Sequence, residues 1–133
     1  MIYKVVIEGK FYGNHTVAGW NDRISSSAKH PVVGGKMERN FVNICADAIR
    51  FQLRGVEIKT PIAIRYVFYE SDKRRDLGNI AYVDKPFCDA LQRCGYIPND
   101  GQKDIHKLIF ELEQIDKDNP RIEVYIEEVS EQR

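Results

Sequence analysis

The sequence predicts an α+β fold: one small mixed β-sheet with two helices packed on it, in the order β–long loop–α–β–α–β–β. Three observations carry this. Segments 2–8, 61–70, 105–113 and 121–129 are rich in β-branched and aromatic residues and read as strands. Two other segments repeat apolar residues at helical spacing. Glycine or proline punctuates the joints between them. A chain of 133 residues, 43% of them hydrophobic, has the length of one domain, 1–133, and enough apolar mass for a core without metal or disulfide staples.

Each element follows from local chemistry. IYKVVIE (2–8) is β-branched and aromatic with imperfect alternation. Residues 9–35 contain Gly9, Gly13, Gly19, Pro31, Gly34 and Gly35 and no apolar period, which predicts a long functional or mobile loop. Within it Trp20, His15 and His30 are candidate DNA contacts, because bases stack on aromatic faces, and equally ordinary loop residues. From Lys36 to about Leu53, Met37, Phe41, Ile44, Cys45, Ala48 and Phe51 recur at helical spacing, with Gly55 as the stop. Arg39, Arg50 and Arg54 lie along this helix. The strand at 61–70 follows, and then a burst of charge. Pro86 cannot sit deep inside a helix, because its ring clashes with the preceding turn. The second helix therefore begins near Asp84–Pro86, with Asp84 as a candidate N-cap, or is an earlier helix kinked there; Gly95 ends it. Phe87, Leu91 and Cys94 on this helix are core or dimer contacts. YIPNDGQ (96–102) is a turn. IHKLIFELE (105–113) and RIEVYIEEV (121–129), joined by QIDKDNP, are expected to form a hairpin.

Formal net charge is zero, but its distribution is uneven. Residues 1–75 hold 13 Lys/Arg against 7 Asp/Glu, and residues 76–133 hold 7 against 13. That asymmetry suits a basic surface beside an acidic pocket, unless folding mixes the two halves. The cysteines Cys45, Cys88 and Cys94 form no CxxC pair and the three histidines are dispersed, so reduced thiols in a cytoplasmic protein are expected rather than a zinc site. No apolar run reaches the length of a membrane span, and MIYKVVIEGK leads straight into a strand rather than a signal peptide.

Carboxylates fall at three joints: Asp76 after a strand, Asp89 on a helix, Asp100 in the turn before the next strand. Hard cations such as Mg²⁺ take oxygen ligands from such loop and element ends. A lysine beside them stabilises phosphoryl charge, and Lys85 shares a helical face with Asp89, four residues on. Spacing alone is weak support, because aspartate favours caps and turns in any protein.

RRDLGNIAYVDKPFCDALQRCGYIPNDGQKDI (74–105) resembles the signature of the RusA family of Holliday junction resolvases, especially their phage and prophage relatives. The matches are Asp76, Asn79, Lys85, Asp89-Ala90-Leu91, Gly95, Ile97, Asn99-Asp100 and Gln102. The resemblance implies a homodimeric endonuclease, dependent on Mg²⁺ with Mn²⁺ as substitute, that cuts four-way DNA junctions symmetrically in recombination and repair. It implies Asp76 and Asp100 as metal ligands, Asp89 as a further candidate ligand and Lys85 as the catalytic lysine. Lys73, Arg74 and Arg75 are the candidate DNA contacts. Asp76, Asp89 and Asp100 are expected to surround one pocket at the end of the sheet, with Lys85 at its edge.

One position departs from the pattern. Where the family reads Asp-Leu-Asp-Asn, this chain reads Asp76-Leu77-Gly78-Asn79, and a ligand is missing. Three readings remain open: a natural variant with a weakened site, a relative that binds junctions without cutting, or a substitution that traps an uncut junction. Asp72 and Asp84 are nearby carboxylates that could compensate. An unrelated α+β interaction module is the remaining alternative.

Overall fold

The computed structural model of the chain describes residues 1–129. The strands are β1 (Ile2–Glu8), β2 (Ile62–Tyr69), β3 (Ile105–Leu112) and β4 (Arg121–Glu128). The helices are α1 (Trp20–Lys29), α2 (Pro31–Gln52), the single turn α3 (Leu77–Ile80) and α4 (Asp84–Arg93), with a 3-10 turn at Ala81–Val83 leading into α4. One mixed sheet runs in the order β1-β4-β2-β3. β2 and β3 are parallel, and β4 lies antiparallel to both β1 and β2. The α+β class and the small mixed sheet are as the sequence predicts.

Two elements differ. Residues 9–35 are not one loop: α1 occupies 20–29, and α2 starts at Pro31, ahead of the predicted Lys36. α1 buries no residue completely, so it has no apolar period to detect. It is held instead by its caps and by α2. Gly34 lies at the crossing, where any Cβ would overlap the Ser27 and Arg23 side chains. His30 caps α2, its Nδ1 accepting from the Val32 N–H at 3.3 Å, and Pro31 fits the first turn because its missing N–H has no partner there anyway.

The expected hairpin is the second correction. β3 and β4 do not pair, because β2 lies between them. The connector steps over the end of β2, with Glu113 N–H donating to Phe68 O at 2.9 Å and Asp116 N–H to Glu70 O at 2.8 Å. β2 is apolar on both faces apart from Arg65, as suits a strand with a neighbour on each side. The helix between β2 and β3 allows them to run parallel.

Ile64, Tyr66 and Phe68 of β2 share the helix-facing side with Val5, Ile7, Ile122, Val124 and Ile126, all buried. Phe41, Cys45 and Ile49 of α2 and Phe87, Ala90 and Leu91 of α4 close over them in one cluster. Burying one such large side chain contributes about 1.5–3 kcal/mol. Phe51, assigned by spacing to the same stripe, is 77% exposed, and Ile49 holds the inward position. Gly55 and Gly95 end their helices at φ of +77° and +79°, a conformation glycine adopts without a steric penalty. Among the described residues no helix is long and apolar enough to cross a membrane.

Candidate functional site

A cleft of about 600 Å³ runs between α4 and β3, and the predicted site residues divide around it. Lys85 and Asp100 line it, together with Asp84 and Trp20. Asp76 and Asp89 do not. Asp76 follows the end of β2, is exposed and makes no side-chain cap to α3. Asp89 is half-buried on α4 and pairs with Lys85, Nζ to Oδ1 3.6 Å, so the shared helical face is real. A larger groove, about 980 Å³, lies between α2 and the β1 edge and contains none of these residues.

Asp84 is set in place from below. It is the first residue of α4 rather than its cap, since Val83 holds that position. The Tyr66 hydroxyl, fully buried under the cleft, donates to Asp84 Oδ1 at 2.7 Å, and the Cys88 thiol donates to the same oxygen at 3.2 Å. Burial first, and then the Asp84 carboxylate, push the Cys88 thiol well above its ordinary value, with Asp100 adding to the shift. Cys88, Asp84 and Asp100 all line the same cleft. Burial also raises Tyr66 far above the ordinary phenol range, so its hydroxyl remains a donor at any ordinary pH.

Asn79, one of the motif matches, performs a different task. Its Oδ1 accepts the Asn21 N–H at 2.9 Å, capping α1 from a distant part of the chain. Gly19 lies so close to this amide that a Cβ would collide with it. The Gly19 N–H in turn donates to Asp22 Oδ2 at 2.8 Å. These contacts fix Trp20, whose indole packs edge-on against the Tyr82 ring at 4.9 Å while remaining 42% exposed on the cleft wall.

The basic run also divides. Lys73 and Arg74 are exposed. Arg75 is committed: it grips buried Glu70 through two hydrogen bonds of 2.9 and 3.0 Å and donates to Val17 O at 2.8 Å. His15 Nδ1 lies 3.3 Å from Ser71 Oγ and 3.9 Å from Glu70 Oε1. Both partners address the same ring nitrogen, and Arg75 already neutralises the acid, so this trio is a structural tie rather than a nucleophile and its base. Sequence reasoning missed Tyr66 as a site residue, because a tyrosine in an apolar strand reads as core.

Compared with protein-family models and with curated proteins, the chain matches none. Among the described residues no three His, Cys, Asp or Glu side chains converge to hold a metal ion. The donor chemistry of the cleft fits a sparser site. Mg²⁺ is commonly held by one or two carboxylates, with water and substrate phosphate completing its shell. Asp84 and Asp100 are two hard oxygen donors on one cleft, and both hydrogen bonds to Asp84 fall on Oδ1.

Proposed function

We propose that this chain is a RusA-like endonuclease that acts on four-way DNA junctions from the α4–β3 cleft. The observation that carries the reading is Asp84 and Asp100 on one cleft with Lys85 at hand, within the stretch that resembles the resolvase signature. Asp84 and Asp100 would hold a divalent ion, and Lys73 and Arg74 would track phosphates outside it. When bound, such an ion supplies Lewis-acid activation of the scissile phosphate and a more acidic water. Tyr66 and Cys88 fix Asp84 so that little reorganisation accompanies ligand binding. Lys85, which trades its surface pair with Asp89 for a phosphate oxygen, offsets charge as it builds on the phosphoryl group. Trp20 offers an exposed aromatic edge to an unstacked base.

A second reading has its own support. Gly78 stands where the signature has a carboxylate, and among the described residues no group of three His, Cys, Asp or Glu side chains makes up for it. On this reading the chain binds junctions and does not cut. Incubating the protein with a synthetic four-way junction and Mg²⁺ or Mn²⁺ separates the two: paired symmetric nicks support the first, and a stable uncut complex supports the second. Failure to bind any branched DNA would sink both.

A further inference from the structure

We infer that the groove between α2 and the edge of β1 takes an extended segment of another protein, one in which basic and apolar residues alternate. The inference does not rest on the nuclease reading, since this groove contains none of the cleft residues. β1 is an edge of the sheet, and the outward N–H and C=O groups of an edge are a template for one more strand. One position shows what that template accepts. The exposed Gln52 side chain, at the end of α2, accepts the Val6 N–H on its Oε1 and donates to Val6 O through Nε2, both at 2.7 Å. These are the two bonds that one residue of an antiparallel neighbour exchanges with the residue it faces. Strand geometry turns the Lys4 and Glu8 backbone groups outward with those of Val6, and among the described residues nothing is bonded to them on that side. Gln52 thus stands in for a strand at one residue and leaves the neighbouring ones open.

The lining identifies the kind of segment that fits. Ile44, Ala48 and Phe51, on one face of α2, form an apolar wall of the groove, and Phe11 adds a second aromatic ring. Phe51 and Phe11 are 77% and 48% exposed, so both rings are free to be covered. Alternate side chains of an extended segment point the same way, and those turned towards α2 are apolar to match this wall. Charge sets the other face. Four carboxylates line the groove, Glu8, Asp47, Asp116 and Glu123, against one cation, Arg121. Arg121 is already held by Asp116 at 2.9 Å and by Glu123 at 3.0 Å. Glu8 and Asp47 have no ion partner among the described residues. Such a field repels a nucleic-acid backbone and attracts lysine or arginine. It also disfavours a second copy of this chain, because a two-fold contact at this edge sets each carboxylate patch against itself.

Fluorescence anisotropy on the full chain tests this with a short fluorescein-labelled peptide that alternates lysine and valine. The peptide should bind, and a counterpart alternating glutamate and valine should not. Phe51→Ser should weaken binding about tenfold, as loss of an aromatic anchor does. Asp47→Lys should weaken it and make it less sensitive to salt. Gln52→Ala should instead strengthen it several-fold, because no side chain has to leave the edge first. N-methylation of alternate peptide amides should abolish binding along one edge of the peptide and spare it along the other, since a docked strand uses a single edge. Circular dichroism confirms the fold of each variant. Equal binding of the two peptides, or of neither, would overturn the proposal. So would affinity that ignores Phe51→Ser, affinity that falls with Gln52→Ala, or equal tolerance of methylation on both edges.

Discussion

The Tyr66 hydroxyl, on a side chain with no exposed surface, donates to Asp84 Oδ1 at 2.7 Å. A core residue thus aims a cleft carboxylate. Tyr66→Phe keeps the ring and its packing and removes only the donor. The fold should lose about 1 kcal/mol, read by urea unfolding, as for one ordinary hydrogen bond. Partners that orient a metal ligand are typically worth 10–100-fold, so the Mn²⁺ needed for half-maximal junction cleavage should rise by about that factor. Unchanged metal dependence would show that Asp84 is not a ligand.

Asp84→Asn and Asp76→Asn weigh the cleft against the motif. Asp84→Asn should lower cleavage about 100-fold or more, since a lost ligand costs at least as much as a lost orienting partner. Asp76→Asn, outside the cleft, should change the rate by a few-fold at most. The reverse order, measured in single-turnover assays, would place the metal at Asp76.

Gly78 is free to accept a side chain. A Cβ there meets nothing within 4 Å and its backbone is not left-handed, so Gly78→Asp should fold. Replacing glycine at a compatible position stabilises by about 0.4–1 kcal/mol, which should appear as a higher Tm. Calorimetric titration with Mn²⁺ should show tighter binding than the parent chain if residues 76 and 78 contribute to the metal site, and no change if the cleft acts alone.

Arg74 and Arg75 should behave as opposites. Arg74→Glu should leave the fold intact, weaken junction binding and flatten its dependence on salt, because a phosphate contact no longer releases counterions. Arg75→Glu leaves buried Glu70 beside a second acid and should destabilise the protein by about 3–5 kcal/mol. Equal Tm values for the two variants would contradict this division.

Alkaline pH should unfold the chain early. Burial pushes the Cys45 thiol to about 12, and burial likewise raises Tyr66 and Cys88. A raised folded pKa gives stability that is complete below the ordinary unfolded value and lost as pH climbs towards the folded one. Tm should therefore hold through neutrality and fall steadily above about pH 9, the ordinary range for a thiol. Cys45→Ala should make that decline shallower, even though it lowers Tm at pH 7.

The strands and the helices α2 and α4 are legible because burial leaves a period in the sequence. The run of β2, apolar but for Arg65, marks a buried strand, since such a strand needs cover on both faces. α1 left no such mark, because Gly19, Asp22 and the remote Asn79 hold it in place of apolar burial. The hairpin failed because adjacency in sequence says nothing about a connector long enough to step across β2. Within the site, Lys85 and Asp100 were readable as charge at element ends. Asp84 was visible only as a compensating candidate, and its aim depends on Tyr66, which nothing local distinguishes from an ordinary core tyrosine.

The strand order also dictates when the molecule can exist. Among the described residues β4 is the strand that joins β1 to β2, pairing Ile2 with Glu127 on one side and Ile62 with Glu128 on the other. A nascent chain emerging from the ribosome must therefore hold β1 unpaired and one edge of β2 open until β4 arrives. Such long-range closure is slow, and exposed edges invite association in the interval. Synthesis that stalls before Arg121 leaves β1 without its strand partner, an open edge exposed to chaperones and proteases.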